Sequence, residues 1–203
     1  FQTPLTYVCK NNLISMASLL LHQYHARVND VNARNYTPLM YAVQENNLEI
    51  CKLLLKAGAH LNKQLDYHQD SLYALSMAVE RNHTAIIKLL LDHGANPNLL
   101  THYNSNSPLI EACKQGKYEV AEMIVKANSK SVNVQEKTNN TTPLYHAVYN
   151  TQWKIVHMLL NVGKAKLSHS CMLGVTSSIT AALVPKETLE LMLNHGLLKN
   201  PMN

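Results

Sequence analysis

Long apolar runs, paired cysteines and glycine-rich loops are all missing from this 203-residue sequence. The longest apolar stretch, Met16 to Leu21, ends at His22 and is much shorter than the roughly 18 to 20 residues of a membrane-spanning helix. The sequence has no CxxC pair, and its four cysteines are isolated: Cys9, Cys51, Cys113 and Cys171. We therefore expect a soluble chain without a zinc site or a disulfide framework, from a reducing, cytoplasmic compartment.

Signals for catalysis are equally scarce. No phosphate-binding loop and no EF-hand pattern occurs among the residues. Four of the eleven histidines fall where helices begin or end, which suits a structural role: His60, His83, His93 and His195. Cys171 follows His169 by two residues, but a nucleophile needs a positioned base and an oxyanion site that this segment does not supply. We predict a non-enzyme without cofactor or metal.

The net charge of +5 is concentrated in one segment. Between residues 126 and 166 the only acid is Glu136, and the segment holds six lysines: Lys126, Lys130, Lys137, Lys154, Lys164 and Lys166. Such a basic end could attract an acidic protein, a phosphoinositide or a nucleic acid, or it could be a solvated rim. Because arginine is scarce and no nucleic-acid-binding motif accompanies the lysines, we do not expect nucleic acid to be the partner.

What the sequence does contain is a repeat. Thr-Pro-Leu or Ser-Pro-Leu recurs at residues 3, 37, 107 and 142, and the leucine triplets 53–55 and 89–91 place a degenerate copy at residue 73. A weaker sixth copy begins near residue 175. We number these units repeats 1 to 6, and we expect the last to be a degenerate cap.

Each repeat predicts two short helices, because an apolar stripe of period 3.6 occurs twice with a break between. The Thr or Ser that starts a repeat is a helix N-cap, with proline at the first helical position. The break needs a residue that tolerates a left-handed backbone, and it falls at Asn12, Asn46, Asn82, Gly116 and Thr151. Glycines are the predicted C-caps of four second helices: Gly58, Gly94, Gly163 and Gly196.

Some positions depart from this pattern. Tyr24 and Asn128 replace the terminal glycine in repeats 1 and 4, and Tyr73 replaces the cap of repeat 3. The loop 63–72 is longer than the period requires. Pro185 stands where the turn of repeat 6 belongs, after a predicted first helix over residues 177–184. We expect the weakest packing around Tyr73 and Pro185.

The pattern resembles the ankyrin repeat, whose TPLHLAA, GHLEVVKLLL and GADVN segments correspond to residues 37–43, 46–55 and 58–62. This resemblance covers almost the whole chain. It implies an all-α fold, a solenoid of stacked helix pairs with short β-hairpin-like loops and a concave groove. Residues 1–203 would form one ankyrin-repeat domain, and we expect it to be a fragment of a longer chain.

The resemblance also implies a function. Ankyrin proteins usually bind a partner protein on the concave face and the hairpin tips, so we predict a monomeric, non-catalytic protein-interaction module. Counting from each cap gives these partner-binding candidates: Tyr7, Arg34, Tyr36, Tyr41, Gln44, Glu45, Asp70, Leu72, Met77, Arg81, Asn104, Asn106, Glu111, Lys114, His146 and Tyr149. Tyrosines suit an interface. Tyr7 and Tyr41 could instead pack against neighbouring inner helices.

Alternatives to a free-standing module stay open at this stage. The chain could be the recognition arm of a larger enzyme whose catalytic domain lies outside the segment. The many asparagines and lysines also resemble ankyrin proteins of AT-rich intracellular bacteria, which would make it a secreted effector acting in the host cytosol. A eukaryotic cytosolic scaffold fits the same composition.

Overall fold

In a computed structural model, short helices connected by turns follow the predicted period along the chain. The structure describes residues 2–63, 65–67, 70–101, 106–166 and 184–196. Its helices are α1 (Pro4–Lys10), α2 (Ile14–His22), α3 (Pro38–Gln44), α4 (Leu48–Lys56), α5 (Ala74–Glu80), α6 (Thr84–Asp92), α7 (Pro108–Lys114), α8 (Tyr118–Ala127), α9 (Pro143–Tyr149), α10 (Trp153–Asn161) and α11 (Lys186–Asn194). A short 3₁₀ helix (Ser129–Asn133) follows α8.

The predicted caps are confirmed at four repeat starts. In each, the hydroxyl oxygen accepts a hydrogen bond from the backbone N–H three residues later, and proline occupies the first turn; the caps are Thr3, Thr37, Ser107 and Thr142. Such a cap satisfies one of the N–H groups that a helix start leaves unpaired. Tyr73, as predicted, makes no side-chain capping bond to α5.

The turn between the two helices of a repeat is left-handed in repeats 1 to 5. Four of the turn residues are asparagine or glycine: Asn12, Asn46, Asn82 and Gly116. The fifth, Thr151, adopts φ 55° although its branched Cβ disfavours that backbone. The left-handed backbone that the turn requires is therefore adopted even by threonine, which disfavours it.

The second helices end in two ways. Gly58, Gly94 and Gly196 have φ between 86° and 98°, as predicted for C-caps. Gly163 does not, and its predicted role was wrong: the left-handed residue there is Lys164, at φ 52°. Repeat 1 ends in the same way, with His25 at φ 48°.

Close packing explains the glycine at position 163. A Cβ atom on Gly163 would lie 2.7 Å from Val132 Cγ1 and 2.8 Å from the carbonyl oxygen of Leu159. Position 163 therefore has glycine because the end of α10 and the 3₁₀ helix leave no room for a side chain there.

The long loop of repeat 3 forms a two-stranded antiparallel hairpin, β1 (Leu65–Tyr67) and β2 (Asp70–Leu72). Leu65 pairs with Leu72 and Tyr67 pairs with Asp70. The loop was predicted to be longer or irregular, and the extra residues extend it into these strands.

The chain divides into two units, residues 1–103 and residues 104–203. In the first unit, α3 packs between α1 and α5, and α4 packs between α2 and α6. In the second unit, α7 packs on α9, and α10 packs on both α8 and α11. Each unit therefore has an inner and an outer row of helices, with aliphatic side chains buried between them.

The cysteines predicted to be buried are confirmed as core residues. Cys9, Cys51 and Cys113 are fully buried and unpaired. Burial raises the pKa of Cys9 and Cys51 to about 12 and also raises the pKa of Cys113. They behave as apolar packing groups. Cys171, His169 and the predicted first helix of repeat 6 up to residue 183 lie outside the described residues.

Candidate functional site

The predicted binding residues fall into three groups by exposure. Four are exposed: Tyr7, Arg34, Arg81 and Tyr149. Six are partly exposed: Tyr36, Gln44, Glu45, Glu111, Lys114 and His146. Three are buried: Tyr41, Met77 and Asn106. Asn104 lies outside the described residues, and Asp70 and Leu72 are described only as backbone in β2.

The loop before α3 is organised around the buried side chain of Asn32. Its Oδ1 accepts hydrogen bonds from the backbone N–H of Arg34 at 2.9 Å and of Tyr36 at 3.0 Å. Its Nδ2 donates to the Tyr41 hydroxyl at 2.8 Å. Arg34 and Tyr36 are thus held at a fixed loop tip, in the manner of an Asx turn.

Tyr41 belongs to the support of this loop. It is 6% exposed, and its ring lies 5.1 Å from that of Tyr36. Met77, the equivalent residue one repeat on, is 1% exposed. The surface predicted around Tyr41 and Met77 is corrected accordingly, because in this conformation neither side chain reaches solvent.

The corresponding loop of repeat 5 is built around a buried carboxylate. Glu136 accepts hydrogen bonds from Lys114 Nζ at 2.7 Å and from the Thr141 hydroxyl. His146 Nε2 lies 3.3 Å from Glu136 Oε1 and 3.1 Å from Thr141 Oγ1. The loop is closed by its backbone as well, since Glu136 N–H donates to the Thr141 carbonyl.

The protonation states follow from this packing. Burial works to raise the pKa of Glu136, but hydrogen bonds from Lys114 and Thr141 outweigh it and the pKa is lowered. Burial lowers the pKa of His146 to about 4, and the nearby Lys114 charge acts in the same direction. Glu136 opposes that shift without reversing it. At neutral pH the cluster is therefore an ion pair with a neutral imidazole beside it.

Lys114 extends the cluster back into repeat 4. Its Nζ also donates to Asn106 Oδ1 at 2.8 Å, and Asn106 Nδ2 donates to Glu111 Oε2 at 2.9 Å. Glu111 accepts a further hydrogen bond from Gln115. Three predicted site residues, Asn106, Glu111 and Lys114, are thus brought together and joined to a fourth, His146.

An aromatic pair on α9 lies at the exposed side of this inner row. The rings of Tyr145 and Tyr149 stack with centroids 5.9 Å apart and an interplanar angle of 16°. Tyr149 is 59% exposed, and Tyr145 also makes an edge contact with His146 at 5.1 Å. A rigid, solvent-facing ring beside polar groups is the arrangement that protein interfaces favour.

Sequence comparison places these helix pairs in a known family. A family model described as ankyrin repeats (3 copies) matches residues 1–65 and residues 62–136, about two thirds of the chain. The chain belongs to the ankyrin-repeat family. Its helix pairs therefore form the predicted all-α ankyrin architecture.

Two individual proteins illustrate the similarity. The crystal structure of the human ASB11 ankyrin repeat domain matches this ankyrin-repeat chain with a TM-score of 0.69 and 25% identity, over 96% of the chain and 84% of that domain. An ankyrin repeat protein of Fowlpox virus (strain NVSL) is 43% identical over 63 residues. That match takes up 31% of the present chain and only 14% of the viral protein. Ankyrin repeats are generally protein-interaction modules without catalytic activity.

The polar cluster around Glu136 is packed inside this ankyrin-repeat chain. The Thr141 hydroxyl donates to Glu136, both residues are buried, and His146 Nε2 lies near both of them. Within the described ranges, no three His, Cys, Asp or Glu side chains come together as a metal site would require. Among the helices that the structure describes, none is both long and apolar enough to cross a membrane.

The histidines at helix ends have the structural roles predicted for them. The ring Nδ1 of His93 lies 2.9 Å from the carbonyl oxygen of Leu89, and His195 makes the same contact with Leu191. His83 Nδ1 lies 2.9 Å from the carbonyl oxygen of Val43 in the preceding repeat.

The structure shows which charges of the basic segment, residues 126–166, face solvent. All six of its lysines are exposed, whereas Glu136 is buried and paired with Lys114. Lys126 pairs with the partly exposed Glu122 at 3.2 Å. The 3₁₀ helix that carries Lys130 is tied to residue 166, because Lys166 N–H donates to Asn133 Oδ1 at 2.9 Å.

Three residues that shape these surfaces were not among the predicted ones: Asn32 and Glu136 in the loops, and Tyr145 in α9. The period contained a signal for the first two, since Asn32 lies five residues before its cap and Glu136 six before its own. A polar side chain at that offset can bond to the backbone of the loop. Their burial, which decides their role, is a product of the tertiary structure.

Proposed function

We propose that this chain is a non-catalytic, monomeric module that holds a partner protein on its inner helices and loop tips. The observation that carries the proposal is the stacked pair on α9, with Tyr149 59% exposed and supported by Tyr145. Burying such a ring in an interface gains apolar area at little cost in conformational entropy. Neighbouring groups on the same unit, Glu111 and Lys114, supply hydrogen-bonding partners of both charges.

The loop tip of repeat 2 is a separate candidate surface, in the first unit. Arg34 is exposed and Tyr36 is partly exposed, and Asn32 fixes the backbone of both. Gln44 and Glu45 lie at the end of α3 in the same repeat, and Arg81 lies at the end of α5. Arginine and tyrosine are the residue types that most often dominate binding energy at interfaces.

The test uses affinity capture to identify a partner and then purified components. Tyr149→Ala should weaken binding of that partner by about tenfold or more, which corresponds to about 1.4 kcal/mol. The melting temperature should stay unchanged because the ring is exposed. Tyr118→Ala, on the outer helix α8 with 38% exposure, is the matched control and should bind as the wild type does. Equal binding by all three proteins would refute the surface.

A second function applies to the polypeptide that contains this chain. The curated relative is similar over only 14% of its length, so the chain could serve as the recognition arm of a larger protein with its own activity, such as an enzyme or a secreted effector. Measuring binding and activity of the natural polypeptide, with and without Tyr149→Ala, separates recognition from any chemistry elsewhere.

We also place this function in the cytoplasm. The proposal is supported by Cys9, Cys51 and Cys113, which are unpaired thiols in the cores of three different repeats. A reducing compartment keeps such thiols free. A fluorescently tagged chain that collects in a secretory or oxidising compartment would contradict the assignment.

A further inference from the structure

A groove lies in the outer row of the second unit, where α10 packs on α11. Its volume is about 470 Å³, and the described residues on its α10 side include Trp153, Lys154, His157, Asn161 and Val162. Ligand sites in proteins have volumes of roughly 300 to 1,000 Å³ and combine aromatic or apolar walls with a few polar groups. The groove therefore has the size and composition of a binding site, on helices that do not carry the surface proposed above.

The residues that α10 contributes to the groove depart from the repeat pattern. Trp153 stands where repeats 2 and 3 have Leu48 and Thr84. Four and eight residues later, the outer helices of repeats 2 to 4 carry charged side chains: Lys52, Lys88 and Glu122, and then Lys56, Asp92 and Lys126. In α10 the same positions hold His157 and Asn161. Charged side chains keep an outer helix face in water, so their replacement by an imidazole and an amide beside an aromatic ring indicates a face suited to contact.

A contact between the two helices holds the wall of the groove in place. His157 Nε2 lies 2.8 Å from the hydroxyl oxygen of Thr188, a residue of α11 that is only 1% exposed. The backbone N–H of Thr188 donates to the carbonyl oxygen of Pro185 at 2.9 Å. Because this contact joins α10 to the first turn of α11, the groove is formed before a ligand binds, which lowers the entropic cost of binding.

Apolar surface in the groove is left uncovered by the described residues. Val162 is 58% exposed, and Trp153 is partly exposed. Met158, which is buried, adds apolar surface to the lining. Tryptophan is one of the residue types that contribute most to binding energy at interfaces, and a partly open ring beside aliphatic groups is a natural anchor point.

The charge around the groove is positive on its α10 side. From Lys137 to Lys186 the sequence contains no aspartate or glutamate. Lys154 is exposed and makes no ion pair with the described residues. The one carboxylate among the described lining residues is that of Glu187, on the α11 side. Charge complementarity therefore favours an acidic ligand group beside Lys154.

We propose that this groove is a second binding site, and that its ligand is an acidic peptide segment of a partner protein, with an apolar side chain next to a carboxylate. The apolar side chain packs on Trp153 and Val162, and the carboxylate pairs with Lys154. The side-chain amide of Asn161 can donate to and accept from the peptide backbone. The site lies on α10 and α11, so it goes beyond the partner surface proposed on α7 and α9.

A membrane surface is a poorer occupant of the same groove. Helices that lie on membranes insert a continuous apolar face into the lipid and carry cationic residues on the other side. The exposed residues of α10 instead place His157 and Asn161 in line with Trp153, and they line a recess. A peptide that enters the recess satisfies these polar groups better than lipid does.

Trp153 gives the groove a probe of its own, because the sequence has no other tryptophan. A phage-displayed library of short random peptides without tryptophan is selected on the 203-residue chain. We expect the enriched peptides to combine an apolar residue with a neighbouring aspartate or glutamate. Titration of the chain with such a peptide should shift the emission of Trp153 to shorter wavelength, since the ring loses contact with water.

Charge reversal tests the role of Lys154. In Lys154→Glu the affinity for the selected peptide should fall by about tenfold or more. A peptide whose acidic residues are changed to lysine should bind this variant better than it binds the wild type, an exchange that a merely structural role of Lys154 would not produce. Lys88→Glu, at an exposed lysine of the outer helix α6, is the matched control and should bind as the wild type does.

Four results would overturn the proposal. One is a selection that enriches no sequence, or only basic or uncharged peptides. Another is peptide binding that leaves the emission of Trp153 or the affinity of Lys154→Glu unchanged, which would place the peptide elsewhere. The third is an emission shift that grows with the concentration of the chain without peptide, which would assign the groove to a second copy. The fourth is a shift caused by phosphatidylserine vesicles but not by peptide, which would assign it to a membrane.

Discussion

Among the inter-helix turn residues of repeats 1 to 5, Thr151 is the one whose side chain opposes its backbone. Its φ of 55° matches the values of 54° to 59° at Asn12, Asn46 and Asn82. Because a left-handed backbone costs a β-branched residue on the order of 1 kcal/mol or more, Thr151→Asn should raise the free energy of unfolding by about 1 kcal/mol. Urea denaturation measures this change.

The reciprocal change controls for that prediction. Asn46→Thr, at an equally exposed turn of the first unit, should lower the free energy of unfolding by a similar amount. A stabilising Asn46→Thr, or a neutral Thr151→Asn, would show that the turn does not strain threonine.

His146 should make the stability of the chain depend on pH. Its pKa is lowered from 6.5 to about 4 on folding, so between these values the unfolded chain binds a proton that the folded chain does not. The free energy of unfolding therefore falls as pH decreases through this window. The loss reaches roughly 2 kcal/mol by pH 5.

Urea denaturation at pH 7.5 and pH 5 isolates this contribution. In His146→Gln the loss between the two values should be about 2 kcal/mol smaller than in the wild type. His60→Gln, at an exposed histidine, should leave the loss unchanged. The lowered pKa of Glu136 adds a further loss at more acidic pH, as that carboxylate becomes protonated.

For single residues, the sequence predicts the roles that depend on the local backbone, but it does not predict which side chains are buried. The capping threonines and turn asparagines were predictable because their chemistry acts within three residues. The exposure of Tyr41 was not, since it depends on Asn32, nine residues earlier, and on the ring of Tyr36. Alanine at Tyr41 would remove a core ring, so it cannot serve as a surface mutation that leaves stability unchanged.

The close contact between α10 and the 3₁₀ helix depends on residue 163 being a glycine. A Cβ atom on Gly163 would meet Val132 Cγ1 at 2.7 Å, so Gly163→Ala should destabilise the chain by about 2 kcal/mol through overpacking. In a Val132→Ala background the same substitution should cost at least about 1 kcal/mol less, a coupling that a double-mutant cycle measures.

Gly58→Ala is the contrasting variant for this test. Nothing lies within 4 Å of its Cβ position, but its φ is 88°. Its cost should therefore come from the backbone alone and should not change with Val132→Ala. Equal coupling of both glycines to Val132 would contradict the packing explanation.

The helix ends show why elements are predicted better than their boundaries. Glycine at a helix end indicates a left-handed C-cap, and three of the four predicted caps have that conformation. The fourth glycine is required by a neighbour from another element, Val132, which a local pattern cannot reveal. Hairpin-like loops were predicted and the loop 63–72 was expected to be longer or irregular, but the strand bounds within it were not predicted because pairing is a property of two segments.

Over the whole molecule, stability should be graded along the chain. Only Thr188 and Met192 are buried in α11, whereas five of the seven residues of α5 are buried. Hydrogen exchange should therefore find α11 among the least protected helices. Weak packing around Tyr73 also remains a prediction, although the burial of α5 offsets its missing cap. Fast exchange in α3 and slow exchange in α11 would contradict this order.

At the same scale, the fold follows from the period of the sequence, whereas the partner does not. A repeat distance near 34 residues, with caps and turns at fixed offsets, leaves one architecture that buries every apolar stripe. Binding residues are chosen on top of that architecture, so the same scaffold suits many partners. We propose that the exposed Tyr149 and the loop of Arg34 are such positions.

The two loop designs give the repeats different degrees of independence. Asn32 bonds to residues that follow it closely in the sequence, from Arg34 to Tyr41. Glu136, in contrast, relies on Lys114, which lies in the inner helix of the preceding repeat. Repeat 5 transplanted into another ankyrin scaffold would carry a buried carboxylate without its cation. For repeat shuffling, the segment from Lys114 to Glu136 should be moved as one piece, because a crossover between these two residues would separate the ion pair.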